Sequence, residues 1–279
     1  MKIKHLLCFI ALCLFFTPGK AQQLSVMTLR NGATVYIWED KSKPDVFGMI
    51  AFKVGSVDDP EQYTGLAHYL EHVMFKGTQT IDALDWEKEK PIYEKIIAKY
   101  DERAALSDPA AREAVDKEIN DLTREAAQYA AGNEFSLLVD HMGGQGLNAS
   151  TGYDQTEYHN SFPPSQLEKW LEIYSERLID PVFRGFQTEL EAVYEEYNMY
   201  NDDRGSRMRE FIYEQAFGDH PYARPIIGLP EHLKNPQLSK LIDFYNTWYG
   251  PQNMSIILVG NIDAKEAIPM IRDKFERVP

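Results

Sequence analysis

The sequence predicts an α+β domain, and three observations carry that reading. Asn31-Gly32, a strong hairpin dipeptide, divides two β-prone runs between Thr28 and Trp38. Further along, short strand-like runs alternate with segments whose apolar residues recur at helical spacing. Finally, no strand is followed by the Gly-rich phosphate loop of a nucleotide-binding fold. A chain of 279 residues is long enough to bury one large core or two small ones.

The first residues read as an export signal and not as part of this fold. Lys2, Lys4 and His5 precede an apolar run, Leu6 to Phe16, that is too short to span a bilayer comfortably. Pro18-Gly19-Lys20-Ala21 then offers a small residue for cleavage, giving a signal peptide over 1–21 and a mature chain over 22–279. Leu12 stands before Cys13, where a lipoprotein signal needs a small residue. The expected location is periplasmic or secreted, with no stable membrane span after cleavage. Both cysteines, Cys8 and Cys13, fall in the apolar run. The mature part therefore forms no disulfide and no thiolate metal site, so any metal must be held by His, Asp or Glu. A formal net charge of −14 excludes a nucleic-acid backbone as the expected partner, because phosphate binding needs clustered Lys and Arg.

Each element has its own signal. Val46 to Val54 is strand-like. Tyr63-Thr64-Gly65 leads into a helix over Leu66–Phe75, which Gly77 ends. The stretch 83–131 is rich in Glu, Lys and Ala. Ile92, Ile96 and Tyr100, then Val115, Ile119 and Leu122, keep helical spacing on either side of the break Ser107-Asp108-Pro109. It reads as an inserted αα-hairpin whose apolar stripe packs on the main body. Gly143-Gly144-Gln145-Gly146 opens a strand region, Leu147 to Ser161. Ser165 to Leu178 is an amphipathic helix with Ser165 and Glu168 placed as a capping box. Glu189 to Tyr200 is a helix, Ser255 to Val259 a β-branched strand, and Ala264 to Phe275 the closing helix.

The chemistry lies in His68-Tyr69-Leu70-Glu71-His72. On a helix, His68 and His72 are one turn apart on one face, where two imidazoles can share a Zn²⁺ at about 2.0–2.1 Å. Glu71, three residues after His68, comes within reach of a metal-bound water, whose proton it can take. This is the inverted H-x-x-E-H order of the inverzincins. The plain alternative makes His68 a buried, hydrogen-bonded histidine and pairs Glu71 with His72 in solvent. Zinc needs a third protein ligand and an open position.

Around this motif, Gly55-Ser56, Thr64-Gly65-Leu66-Ala67 and Phe75-Lys76-Gly77-Thr78 resemble the pitrilysin–insulinase family, the M16 metallopeptidases. Further stretches resemble it in order: Asn148-Ala149 with Thr156 and Tyr158, Glu189 to Glu196, His220-Pro221-Tyr222 with Ile227-Gly228, and Tyr249-Gly250-Pro251 with Asn253-Met254. The likeness runs from about Thr28 to Pro279, weakest in the helical insertion. It implies a mostly antiparallel sheet with helices on one face, and one Zn²⁺ per chain. It also implies Glu196 as third ligand and Glu189, seven residues earlier, as a supporting residue important for catalysis. Seven residues return to nearly the same helix face, whereas the six that separate Glu189 from Glu195 do not. Asn148-Ala149 resembles the edge-strand segment that holds extended peptide by β-augmentation. The resemblance thus implies a zinc endopeptidase acting on peptides or unfolded segments. The alternative is a non-catalytic peptide-binding or partner subunit of a two-part peptidase. Because the family continues into a homologous C-terminal domain, this chain is expected to work with such a domain or with a partner subunit.

Overall fold

The computed structural model describes residues 23–279. The expected signal peptide and both cysteines lie outside these residues.

Six strands form one sheet: β1 (Gln23–Thr28), β2 (Thr34–Glu39), β3 (Val46–Phe52), β4 (Gln145–Thr151), β5 (Thr156–Phe162) and β6 (Met254–Gly260). Their spatial order is β1-β2-β6-β3-β5-β4, which leaves β4 at an edge. Only β2 and β6 run parallel; every other pairing is antiparallel. Alternation along the strands separates the two faces. Val35, Ile37, Ile50, Phe52, Tyr158, Phe162, Ile256 and Leu258 are buried under helices, whereas Tyr36, Trp38 and Val259 face outward and stay exposed. Asn31-Gly32 does make the β1–β2 turn, but the first strand lies almost wholly before Thr28, its last residue.

The helices follow the sequence signals with some corrections. α1 (Leu66–Val73) is the motif helix. The inserted hairpin is α2 (Trp86–Ala105) and α3 (Pro109–Ala126), each capped by an aspartate, Asp85 and Asp108. Its stripe of Ile92, Ile96, Tyr100, Val115 and Ile119 is buried, and the Tyr100 ring meets Phe186 edge-on at 4.8 Å. The strand region 147–161 is two strands, β4 and β5, around a turn at 152–155. Ser165 does not cap the next helix. Pro163-Pro164 sets a 3-10 turn over Pro164–Gln166, and α5 (Leu167–Glu176) starts after Gln166 without a side-chain cap. α6 (Phe186–Asp202) carries Glu189 and Glu196. Three further helices of more than one turn were not anticipated: α4 (Glu134–His141), α7 (Arg204–Phe217) and α9 (Leu238–Trp248). A short turn, α8 (Pro230–Leu233), and the closing helix α10 (Ala264–Phe275) complete the chain. No helix among the described residues is long and apolar enough to cross a membrane.

The N-terminus of α1 is pinned from two sides. Asp59 accepts hydrogen bonds from the backbone N–H groups of Gly65 at 2.7 Å and Ala67 at 2.8 Å, placing a carboxylate on the positive end of the helix. Ile227-Gly228 crosses the same point. Gly65 and Gly228 have φ of +90° and +93°, and a Cβ on Gly228 would lie 2.5 Å from the Thr64 carbonyl oxygen. That close backbone crossing explains why glycine stands at both positions. Gly228→Ala is expected to lose about 2 kcal/mol of stability, the middle of the range for forced left-handed backbone. Urea unfolding checks this, and a loss below about 0.5 kcal/mol, the scale of a neutral surface change, contradicts it.

Candidate metal centre

α1 buries Leu66, Ala67, Tyr69, Leu70 and Val73 and turns His68, Glu71 and His72 toward α6 and β4. The Tyr69 hydroxyl donates to the Phe186 carbonyl, which ties α1 to the start of α6. Along α6, Leu190 and Val193 are buried, and Glu189 and Glu196 share the side that faces α1.

The result brings His68, His72 and Glu196 together, with one potential ligand atom of each within 4.8 Å of the others. Glu196 Oε2 lies 3.6 Å from His68 Nε2 and 3.5 Å from His72 Nε2. These separations are long for a hydrogen bond. They are close to the ligand–ligand edge of about 3.3 Å that follows from tetrahedral bonds of about 2.0–2.1 Å to zinc. The donor set, two imidazoles and one carboxylate, is also the kind that leaves a fourth position open. Glu195 is exposed and lines a different groove, beside Arg103 and Tyr194.

Glu71 stands apart from this trio. It is buried, and Thr151 on the edge strand donates to its Oε2 at 2.6 Å. Burial raises its pKa above the ordinary glutamate value, against the hydrogen bond from Thr151 and the charge of His72. Glu189 Oε2 lies 3.6 Å from the outer nitrogen of His72, Nδ1, and its Oε1 lies 2.5 Å from Lys76 Nζ. Ala149, Ser150 and Thr151 line a cleft of about 280 Å³ that also contains His68, Glu71 and Glu196. Asn148, one residue back, is exposed and is not among the lining residues. The far side of the cleft is formed by Tyr153, Tyr200, Arg209 and Pro225–Ile227.

The two histidines are electrostatically unlike. Burial lowers the His68 pKa to about 4, helped by the neighbouring His72 charge and opposed by Glu196. Its Nδ1 is buried without a hydrogen-bond partner among the described residues. Burial also works against a charge on His72, but Glu189, Glu196 and Glu71 outweigh it and raise its pKa to about 9. At neutral pH, therefore, His68 is a free imidazole while His72 carries a proton between carboxylates.

The sequence reading did not single out Thr151 or Asp59, nor give Lys76 a role. Lys76 had a signal, since it is four residues after His72 and so near the same face. Thr151 and Asp59 make contacts across 80 and 6–8 residues that no local spacing marks.

Comparison with known proteins identifies the family. The insulinase family, peptidase family M16, matches residues 34–90 and 120–229, more than half of the chain. The chain belongs to peptidase family M16. A second M16 component, described as the M16 inactive domain, matches residues 237–279. Among M16 relatives, the probable zinc protease PqqL of Escherichia coli (strain K12) is 25% identical over 92% of this chain and 23% of its own length. Zinc protease PqqE of Helicobacter pylori (strain ATCC 700392 / 26695) is 24% identical over 90% of this chain and 46% of its own length. The solved first half of the periplasmic protease PqqL from Escherichia coli superposes with a TM-score of 0.69 at 25% identity, covering 92% of this chain and 47% of that one. Pitrilysin shares the fold, with a TM-score of 0.68 at 23% identity over 94% of this chain and 23% of its own. This chain spans about a quarter to a half of the length of the curated relatives named here. As the resemblance implied, the M16 fold is a mostly antiparallel sheet with its helices on one face.

The His72 charge gives a prediction about metal uptake. A ligating imidazole must be neutral, so zinc binding near pH 7 is expected to release one proton. Affinity should climb by about tenfold per pH unit through neutrality and level off above about 9, the His72 value. Chelator-competition titrations across this range check the slope, and an affinity independent of pH contradicts it.

Proposed function

We propose that this chain carries the catalytic centre of an exported zinc endopeptidase that cleaves peptides or unfolded segments in extended conformation. The observation that supports this most is Glu71. A purely structural metal site has no use for a further acidic group that is not a ligand, buried beside the ligands and held by the edge strand.

In this reading His68, His72 and Glu196 hold one Zn²⁺, and Glu189 orients His72 from behind. When bound, zinc supplies Lewis acidity that polarises the scissile carbonyl and acidifies water. Glu71 takes a proton from the attacking water and later delivers it to the leaving amine. Its raised pKa brings it nearer the operating range of a general acid–base group. Thr151 fixes the carboxylate so that its other oxygen remains available. Asn148 and Ala149 lie on β4, whose outer edge is unpaired among the described residues and suits backbone pairing with a substrate strand. Ala149 sits in the cleft beside Glu71, and Asn148 contributes backbone at the edge. Such pairing reads main chain more than side chains, so broad sequence tolerance follows.

The competing reading, a non-catalytic partner subunit, predicts that the acidic group is dispensable. Glu71→Gln separates the two. The substitution is expected to keep zinc and cut peptide hydrolysis by at least about 10²-fold, the lower range for general-base catalysis. His68→Ala is expected to lose zinc and activity together. Undiminished, chelator-sensitive turnover by Glu71→Gln contradicts the mechanism.

A second expectation concerns the rest of the site. The cleft is walled by α1, β4, α6 and α7 on this chain, and the relatives are about two to four times longer. We infer that a C-terminal M16-type domain or partner subunit encloses the substrate and supplies further donors to the developing oxyanion. Residues 22–279 alone should then bind zinc but cleave slowly, since one missing oxyanion donor costs about 10²–10³-fold. Adding the partner should restore the rate. Full turnover by the isolated monomer counts against this.

A further inference from the structure

The strongest unassigned feature of the centre is a chain of charged contacts that runs from the inserted hairpin to the outer nitrogen of His72. Glu89 of α2 is almost completely buried and clamps Arg184 with two hydrogen bonds, Nε to Oε1 at 2.6 Å and Nη2 to Oε2 at 2.8 Å. A bidentate pair of this kind fixes the guanidinium in position and plane. The remaining Arg184 nitrogen, Nη1, donates to the Lys76 carbonyl at 3.2 Å and to the Ile81 carbonyl at 3.4 Å. The Lys76 N–H donates to Val73 at the end of α1. The Lys76 backbone is thus held at both its polar groups. Its ammonium then reaches Glu189 Oε1 at 2.5 Å, and Glu189 Oε2 faces His72 Nδ1 at 3.6 Å.

We propose that Lys76 is a positioning residue for the metal centre, holding the Glu189 carboxylate against the outer nitrogen of His72 so that Nε2 points at Glu196. This rests on the metal-centre reading given above and deepens it. The chemistry favours a lysine here. A carboxylate behind a ligating imidazole fixes the ring and its tautomer, and such outer groups affect metal affinity strongly. Glu189 is half-buried and has two oxygens to satisfy. With Lys76 on one, the carboxylate presents the other to His72 and not to solvent. Without Lys76 it can rotate, and Glu196, the other carboxylate that meets His72 from the same helix, carries the same charge and offers nothing to hold it. The inserted hairpin then has a role beyond surface area, since Glu89 supplies the base on which the Lys76 backbone rests. An ordinary half-exposed ion pair would instead contribute little to anything measurable.

The test is a double-mutant cycle on metal affinity in the full chain, read by competition with a chromophoric chelator. Lys76→Met is expected to weaken Zn²⁺ binding by about 10-fold or more, within the range for groups behind a ligand. Lys76→Arg should recover most of the loss. In a Glu189→Gln background, Lys76→Met should have less than about a twofold further effect, because the group it acts through is gone. The Co²⁺-loaded Lys76→Met chain should show an altered visible ligand-field spectrum, while thermal unfolding of the metal-free protein stays close to wild type. Wild-type zinc affinity in Lys76→Met, or an equal loss in both backgrounds, overturns the proposal and leaves the metal centre itself standing. A wild-type chain with no zinc affinity overturns both.

Discussion

The hydrogen bonds from Gly65 and Ala67 to the Asp59 carboxylate hold the start of α1, and the rest of the site depends on where that helix begins. α1 has eight residues, too few to be stable on helix propensity alone. It nevertheless carries three of the groups that define the centre. Its far end is held by an unusual group, the buried Arg177, which donates to the Met74 carbonyl at 3.0 Å. No carboxylate pairs with Arg177 among the described residues. Its guanidinium lies instead within 4.4–5.5 Å of the ring centroids of Phe75, Phe135, Tyr158 and Tyr174. A negative group at the N-terminus and a positive one at the C-terminus both complement the helix dipole. The aromatic ring faces make a fully buried cation tolerable where water cannot reach it. Asp59 bears the strain of this arrangement: burial, only partly offset by those two N–H groups, pushes its pKa up to about 7.

With α1 fixed, the electrostatics of the centre follow from burial and from the carboxylates around His72. Three glutamates, Glu71, Glu189 and Glu196, surround His72, and His68 is sealed behind it. The cluster is built for a cation. The carboxylates hold a proton on His72 and raise its pKa, whereas burial, with the His72 charge as a smaller contribution, lowers that of His68. In the proposed zinc site one ligand would be neutral beforehand and the other would give up its proton as the metal binds. Lys76 adds positive charge on the outer side of Glu189, away from the ligand atoms, while the Glu89–Arg184 pair behind it is neutral overall and serves to hold the Lys76 backbone. Burial raises Glu71, with a smaller push from the charges of Glu196 and Glu157, while the Thr151 hydroxyl steadies its carboxylate.

Much of this was legible in the sequence because it depends on local periodicity. His68 and His72 at i and i+4, and Glu189 and Glu196 seven apart, each fall on one helix face, and the structure points those faces at each other. Exposure of Glu195 agrees with the same counting. The inserted hairpin was visible through its stripe and its Asp108-Pro109 start. Other features were not legible, for physical reasons. Ser165 and Glu168 have the spacing of a capping box, but Pro163-Pro164 commits the backbone to a different turn first. α7 buries none of its residues, so it has no apolar stripe to reveal it. α4 has eight residues, too few for its period to stand out. Thr151, Asp59 and the Lys76–Glu189 contact are meetings across the fold, which spacing along the chain does not encode.

The central claim is that two imidazoles from α1 and one carboxylate from α6 form a single open zinc site. Zinc-edge anomalous diffraction from crystals of the zinc-loaded protein tests it most directly. The account predicts one strong peak about 2.0–2.2 Å from His68 Nε2, His72 Nε2 and a Glu196 oxygen, with no fourth protein ligand. A peak bound by Glu195 or by Glu71, a closed shell of four protein ligands, or no peak between α1 and α6 would contradict it.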